Sequence, residues 1–338
     1  MLGAHGIHRR QLLTLSFLLA VVAGFAQTTP VQDFGAEPRA HTGRKSFWTE
    51  FNLGGTLSRD GRWQYQIDYQ FRRAADASFV QGGSHWNILK ETQQQVFRPW
   101  IHYWLKPGAV RLSLSPLGYW VTWTPEEETA LYPNQDGVTT GHSVFPEFRI
   151  CPQVTTTHQI GRVQFIQRYR YEFRFLGQRR AADDNLSDFG KGLDFAPTDV
   201  GDQTAAKGWF GHNHAGRMRI QSRIQMPFGK EKVERKTFYL NVWNELFLSL
   251  GKHVKNDKLL NQNRFVALLG YRLDTEVPIK IEGGVTLQTI MQYNMDVNPT
   301  NPSVTYNKAN VETNTAFTIY VIVDEFHKLF QKKAEEAR

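Results

Sequence analysis

The sequence contains a single cysteine, Cys151, among its 338 residues. A disulfide framework within the chain is therefore excluded, and stability must come from the fold itself. The surplus of basic over acidic residues is small, with a formal net charge of +8. A surplus of this size is weak support for nucleic-acid binding, and we expect no nucleic-acid partner.

Beyond its first residues the sequence also lacks any apolar run long enough for a membrane-spanning helix. The one marked apolar run, Leu12 to Phe25, follows Arg9 and Arg10 and leads to Ala26. This order is typical of a secretory signal peptide, which we predict over residues 1–26. A membrane-anchoring helix is the alternative, but the run is short and no stop-transfer flank follows it.

From about residue 45 onward the dominant sequence pattern has a period of two. Within 63–72, 163–175 and 217–226, aromatic or aliphatic residues alternate with Gln, Asp, Glu and Arg. Such alternation gives a strand one apolar face and one polar face. Most of these runs have ten or more residues, enough for a tilted strand to cross a bilayer. The runs lie near 45–54, 62–73, 95–106, 109–124, 143–155, 161–176, 214–227, 236–250, 260–274, 278–292 and 311–323.

Aromatic residues make up 13% of the chain although its mean hydropathy is negative, −0.46. A membrane β-barrel combines these properties because only alternate residues of its wall meet lipid. The sequence therefore predicts an all-β fold, a transmembrane antiparallel meander β-barrel with short periplasmic turns and long external loops. Long connections are expected near 74–94, 125–142, 177–213 and 293–310, and short ones near 58–61, 106–108 and 275–277.

The predicted domain organisation places the barrel at 45–323, between an N-terminal segment, 27–44, and a polar C-terminal tail, 324–338. Bacterial single-chain barrels usually have an even number of strands, and a chain that starts in the periplasm first runs outward. We therefore predict about 12 strands, with one strand or traversing segment hidden within 27–44. The tail is expected to be a short amphipathic helix or a frayed end.

Several of these runs carry distinctive residue orders. They are Phe47-Trp48-Thr49-Glu50 and the segments 167–174, 217–226, 239–247 and 261–265. Their order resembles an uncharacterised family of bacterial outer-membrane proteins, known as domain of unknown function 2490. The resemblance implies an outer-membrane location, with outer-membrane lipid and the barrel-assembly machinery as partners, and it supplies no activity. Many such barrels end on an aromatic residue, whereas Phe326 and Phe330 lie short of this terminus.

Charged residues occupy the face opposite the apolar one, which we predict to line the lumen. Each Arg or Lys on the lipid side near the membrane centre would cost about 2–4 kcal/mol. The predicted lumen-facing network comprises Arg98, Glu147, Arg149, Arg168, Arg170, Glu172, Arg174, Arg217, Arg219, Arg223, Glu245, Arg264, Arg272 and Glu282. The same alternation places Asp68, Arg72, His102, Lys280 and Glu312 on this face.

Three functions are compatible with this pattern. The favoured interpretation is a non-enzymatic envelope protein whose Arg/Glu-rich lumen is filled by paired charges. The alternative is a small-solute pore that prefers anions, because arginine outnumbers acid on the central strands. The second alternative is an outer-membrane lipid hydrolase, which needs Ser, His and an orienting Asn or Asp on the outer wall.

The serine and histidine positions argue against the hydrolase. Ser222 has outward parity and His102 inward parity, and the neighbours His142 and Ser143 would point to opposite faces. We expect no cofactor and no metal. The pair His212 and His214 lacks a third ligand.

Two further groups are assigned structural positions. The acidic run 126–128 and the aspartates of 183–199 lack the spacing of a calcium loop, so we expect solvated external loops. Trp100, Trp104, Trp120 and Trp123 are expected in aromatic girdles or lumen packing rather than in a sugar site.

Overall fold

The computed structural model describes residues 41–78, 82–124, 143–176, 180–181, 213–250, 259–298 and 301–330. These residues form thirteen strands, of which β1 and β8 have two residues each and the others twelve or more. The strands are β1 (His41–Thr42), β2 (Lys45–Thr56), β3 (Trp63–Ala74), β4 (Glu91–Lys106), β5 (Val110–Thr124), β6 (Ser143–Ile160), β7 (Val163–Leu176), β8 (Arg180–Ala181), β9 (Asn213–Pro227), β10 (Thr237–Leu250), β11 (Leu260–Arg272), β12 (Ile279–Asn298) and β13 (Asn301–Val323). The predicted all-β meander is confirmed.

The eleven long strands close into a barrel. From β2 to β13 each long strand pairs antiparallel with the next long strand along the chain. β13 also pairs with β2, in parallel, from Thr315 opposite Lys45 to Val323 opposite Leu53. β1 continues this parallel pairing, with His41 opposite Val311. No edge of the long-strand sheet is left open, because its first and last strands are hydrogen-bonded to each other.

The described barrel has eleven long strands rather than the predicted twelve. When an odd number of strands alternates in direction, the first and last run the same way, so closure must be parallel. The prediction expected an even number of strands and a first strand that runs outward, and it therefore added a strand or traversing segment within 27–44. Of that segment, His41–Thr42 forms β1 on β13, and 27–40 lies outside the described residues.

Five short connections lie together at one end of the barrel, which we call the short-turn end. They join β2 to β3, β4 to β5, β6 to β7, β9 to β10, and β11 to β12. Four of them contain a glycine in the left-handed region, among them Gly108 (φ 71°) and Gly161 (φ 55°). A side chain would be strained there, so these glycines allow the tight reversals. The connection 75–90 lies at the opposite end, and the predicted loops 125–142 and 177–213 lie almost wholly outside the described residues.

The prediction of a long loop at 293–310 is wrong. β12 and β13 remain paired through this region, up to Asn298 opposite Asn301, and only residues 299–300 separate them. The period of two continues through Tyr293, Met295 and Val297, although the predicted strand ended at residue 292. This hairpin extends well beyond its neighbour β11, which begins at Leu260.

The two faces of the wall differ sharply in composition. Large apolar side chains that alternate outward remain exposed, for example Phe97 at 42% and Leu269 at 53%. Others on this outer face are Phe51, Ile101, Leu112, Leu114, Val154, Phe173, Ile224, Phe265, Ile281, Val285, Leu287 and Phe317. The inward positions between them carry the charged groups together with buried aromatic residues such as Trp48, Trp100 and Trp243.

The segment after β13 folds back onto the short-turn end. The backbone N–H of Phe326 donates to the carbonyl of Gly54 at 2.8 Å, and Thr56 Oγ1 donates to the Glu325 carboxylate at 2.5 Å. A single helical turn covers 328–330, and the Phe326 and Phe330 rings pack edge to face at 5.2 Å. In the part of the chain described, no helix has the length and apolar character to span a membrane.

Candidate functional site: the charged interior

Strand register brings the predicted network together inside the barrel. On β6, β7, β9 and β10, several of the alternate residues that point inward are Arg or Glu. Arg149 lies opposite Arg174, and Glu172 lies opposite Arg217. All fourteen residues of the predicted network occupy inward positions of their strands, but they separate into groups with different partners.

The largest group is centred on Glu172, whose exposed fraction is 0%. Its carboxylate accepts hydrogen bonds from Arg217 Nε at 2.8 Å, from Arg219 Nη1 at 2.8 Å and from Arg149 Nη1 at 3.4 Å. These bonds join strands β6, β7 and β9. Charge-assisted bonds of this kind are roughly twice as strong as neutral ones and fix the geometry of both partners.

Two further carboxylates extend this group on either side. Glu245 accepts from Arg219 at 2.7 and 3.0 Å and from Arg168 at 2.6 Å. Glu147 accepts from Arg149 at 2.6 and 2.8 Å and from Arg174 Nη2 at 3.0 Å. We call the whole group the carboxylate cluster; it consists of Glu147, Arg149, Arg168, Glu172, Arg174, Arg217, Arg219 and Glu245.

The carboxylate cluster is dehydrated yet internally compensated. The exposed fractions of its three glutamates range from 0% to 4%. Taking a charge out of water costs several kcal/mol, and only well-placed partners offset that cost. Here every carboxylate holds at least two guanidinium groups, so the cluster acts as a set of cross-links between β6, β7, β9 and β10.

The other predicted residues lie outside this cluster. Arg98 forms a separate pair with Asp68, at 2.9 and 2.6 Å, and Trp100 donates to the same carboxylate at 2.8 Å. Glu282 accepts from the Tyr239 hydroxyl at 2.8 Å and from the Asn241 amide at 3.0 Å, with no arginine. The structure therefore does not join all fourteen residues into one network.

Two more of the predicted arginines are held near the edges of these groups. Arg272 donates to the carbonyl of Leu273 at 2.5 Å, within the turn after β11. Arg264 Nη1 lies 4.0 Å from Glu245, and its guanidinium stacks on the Trp48 and Phe247 rings. Arg272 thus stabilises a turn, whereas Arg264 stands at the margin of the carboxylate cluster.

Among the described residues, several interior arginines are held by tryptophan rather than by a close carboxylate; one is Arg72, which lies over Trp48 at 4.1 Å. Arg111 lies over Trp104 at 5.3 Å, Arg170 over Trp100 at 4.7 Å, and Arg223 over Trp243 at 4.5 Å. We call Arg111, Arg170 and Arg223 the stacked arginines. Among the described residues no carboxylate oxygen lies within 4.0 Å of Arg111 or Arg223, and the nearest to Arg170 is that of Glu172, at 4.0 Å.

Glu50 and Arg111 are two of the buried or partly buried charges that sequence reasoning missed. Glu50 accepts from Gln70 Nε2 at 2.7 Å and lies 4.0 Å from Arg98. Its alternation with Trp48 and Asn52 could have placed it on the inner face. Arg111 was harder to place, because β5 changes register between Ser115 and Gly118. Such a bulge reverses the inward parity along one strand, so strict alternation fails across it.

A serine and a histidine do meet inside the barrel, although not the pair considered from sequence. His102 Nδ1 and Ser113 Oγ lie 2.8 Å apart, and both residues are buried. They sit at equal distances from the Pro107–Gly108 turn, so hairpin register could have revealed them. The other ring nitrogen of His102 is buried without a partner, and the pair points away from the outer wall.

Most of the remaining sites considered from the sequence lie in residues that the structure does not describe. His212, the acidic run 126–128 and the aspartates of 183–199 lie outside the described residues, as does the side chain of His214. Within the described ranges, no group of three or more His, Cys, Asp or Glu could hold a metal ion. Trp100, Trp104 and Trp120 pack inside the barrel, and Trp123 has outward parity.

A family model described as "Protein of unknown function (DUF2490)" matches residues 45–298, which runs from the start of β2 to the end of β12. No curated protein matches the chain.

Proposed function

Because the chain belongs to the DUF2490 family, whose description assigns no activity, we propose a function from geometry: an exported, non-enzymatic β-barrel of the bacterial outer membrane with a charge-filled lumen. The observation that carries this proposal is the separation of the two faces of the wall. Exposed apolar side chains point outward on almost every long strand, and ionised groups point inward. In water this arrangement would be unfavourable, whereas hydrocarbon favours it.

The outer face near the short-turn end supports the same placement. Trp63 and Tyr103 pair there at 4.8 Å between ring centroids, and Phe238 and Tyr271 pair at 4.5 Å. Outer-membrane barrels carry aromatic girdles where their wall meets the lipid headgroups. Outer-membrane lipid is accordingly the proposed surrounding medium, with barrel-assembly machinery as the partner during biogenesis.

Burial of the interior charges supports a filled lumen. A water-filled channel would leave its wall groups hydrated, yet Glu172, Glu245 and Arg170 have exposed fractions of only 0% to 3%. Paired charges in the carboxylate cluster occupy the space between facing strands. The proposed role is therefore mechanical, a stiffened wall element of the envelope, without catalysis.

Location can be tested directly. Full-length protein expressed in a Gram-negative host should fractionate with the outer membrane, and removal of residues 1–26 should leave it in the cytoplasm. The folded barrel should migrate faster than the boiled protein on a denaturing gel. Recovery of the full-length protein in the soluble periplasm without detergent would contradict the proposal.

Conductance tests the filled lumen against the pore. The pore is supported by one observation, the interior surplus of arginine represented by the stacked arginines. Purified protein in planar bilayers should give no steady current steps if the lumen is filled. Steady anion-selective steps would replace the first proposal by an anion-preferring pore.

The hydrolase is not proposed, and its test is simple. The His102–Ser113 pair faces inward, and among the described residues no carboxylate orients the free ring nitrogen of His102. The purified barrel should release no fatty acid from phospholipid vesicles beyond the level of a Ser113→Ala variant. Release that depends on Ser113 would establish an enzyme.

A further inference from the structure

We infer that the stacked arginines, together with Arg168, bind a small multivalent oxyanion of the phosphate type in the short-turn half of the lumen. This inference rests on the proposed function and deepens it, because it assigns a ligand to the interior of the barrel. The ligand would be a free solute, since the barrel wall separates the site from lipid headgroups.

The first argument is uncompensated charge. Arg111 and Arg223 have no close carboxylate among the described residues, and Arg170 has only a 4.0 Å contact with Glu172. Neighbouring acids are already engaged: Asp68 by Arg98 and Trp100, and Glu282 by Tyr239 and Asn241. A buried charge without a partner is costly, so an anion is expected where several such charges meet.

The second argument is a set of unused hydrogen-bond donors. The Nε atoms of Arg111, Arg168 and Arg223 and the Nη1 atom of Arg170 are buried and have no acceptor. Arg168 binds Glu245 through Nη2, which leaves its Nε free. Buried donors are rarely left unpaired, because they lose their hydrogen bonds to water without gaining a replacement. An oxyanion with several acceptor oxygens satisfies more of them at once than chloride does.

The third argument is convergence. Arg111 lies opposite Thr155 on β6, and Thr155 lies opposite Arg168 on β7. On β9, Arg223 lies opposite Ile166, the inward neighbour of Arg168. Arg170 is the next inward residue after Arg168 on β7, so the four side chains project from neighbouring inward positions of the lumen.

The fourth argument is rigidity combined with access. Each stacked arginine rests on a tryptophan ring, which limits its rotation and prepares its planar donors for a tetrahedral anion. Arg111 and Arg223 are only partly buried and lie near the short-turn ends of β5 and β9. A solute could reach them from that end, whereas Arg170 is buried deeper.

The experiment measures phosphate binding by the full chain refolded in detergent. Inorganic phosphate and potassium chloride are compared at equal ionic strength by thermal unfolding, and bound phosphate is counted by equilibrium dialysis. We expect phosphate, and not chloride, to raise the melting temperature, with saturation near one phosphate per chain. Arg223→Gln should weaken binding roughly ten- to hundredfold, because a charge-assisted bond contributes about 1.5–3 kcal/mol.

Controls separate the site from general charge. Arg272→Gln is the matched control, since Arg272 is also an interior arginine but binds turn carbonyls. It should bind phosphate as the wild type does. Arg111→Gln is the second site variant, should Arg223→Gln fail to fold. The inference is overturned if phosphate acts no better than chloride, if both site variants bind normally, or if Arg272→Gln loses as much. The result is independent of membrane fractionation, so failure here leaves the proposed location intact.

Discussion

The two halves of the barrel interior use arginine in opposite ways. In the carboxylate cluster, toward the long connections, Glu172 gathers three guanidinium groups within 3.4 Å. Toward the short-turn end, the stacked arginines face tryptophan rings, and Arg223 has no carboxylate within 4.0 Å in the described residues. The residue type is the same, and the difference lies in whether an acid occupies the facing position.

This difference means that paired arginines mainly stabilise the fold, whereas arginines without a carboxylate can bind a ligand. Charges that satisfy one another leave few donors for a ligand, whereas charges held rigidly without a partner retain more unused donors. Compensated clusters resist the removal of any member because the remaining charges become unpaired. Uncompensated arginines should tolerate removal and respond to added anions instead.

Glu172→Gln should give the largest effect, because it converts the carboxylate cluster into a region like that of the stacked arginines. Arg149, Arg217 and Arg219 would lose their shared carboxylate while remaining buried. We expect a loss of about 3–5 kcal/mol in the free energy of unfolding, the usual result of breaking a buried ion pair. Urea unfolding in detergent or lipid measures it. A loss of unfolding free energy smaller than the change caused by Arg223→Gln would contradict the contrast between the carboxylate cluster and the stacked arginines.

The pair Glu172→Gln and Arg217→Gln sharpens the same point through a double-mutant cycle. Arg217 donates to Glu172 through two nitrogens. Removing both partners therefore avoids leaving the Arg217 guanidinium buried without its carboxylate. The double variant should be more stable than the sum of the single losses predicts, with a coupling energy of about 0.5–3 kcal/mol. Simple additivity would mean that the two groups do not interact.

The contrast also shows how far the sequence alone could lead. Alternation placed Glu172, Arg217 and Glu245 on the inner face, because a period of two is a local property of each strand. The sequence could not predict which carboxylate each arginine binds, because that depends on which inward residues lie opposite one another on neighbouring strands. Register sets those pairings, and the bulge between Ser115 and Gly118 kept Arg111 out of the predicted network.

The strand number shows the same limit at the level of the whole barrel. Eleven alternating runs were visible in the sequence, and the structure contains eleven long strands. The twelfth was added by the expectation of an even count. How the ends meet is a long-range property, fixed by the pairing of Thr315 with Lys45 and its neighbours. No local pattern in β2 or β13 distinguishes parallel from antiparallel closure.

Arg223→Gln should have a small effect of opposite sign when no phosphate is present. Removing a partly buried charge that lacks a carboxylate should raise the free energy of unfolding by roughly 1 kcal/mol, minus the lost stacking on Trp243. The measurement is urea unfolding in phosphate-free buffer. A loss as large as that of Glu172→Gln would show that the stacked arginines are compensated after all.

Asp274→Asn should have the smallest effect, and it sets the scale for an ion pair in water. Lys236 and Asp274 pair at 2.6 Å in the exposed turns of the short-turn end. The hydrogen bond from Lys236 lowers the pKa of Asp274 below its ordinary value of 3.8. A carboxyl with a lowered pKa in the folded state contributes stability above its ordinary value and loses it as pH falls through the folded value. The stability of the wild type should therefore slightly exceed that of Asp274→Asn at neutral pH, and the difference should vanish in acid. If the stability difference persisted unchanged at pH values where Asp274 is protonated, the pair would act through packing rather than charge. Solvent exposure would then no longer explain why buried carboxylates contribute so much more to the free energy of unfolding.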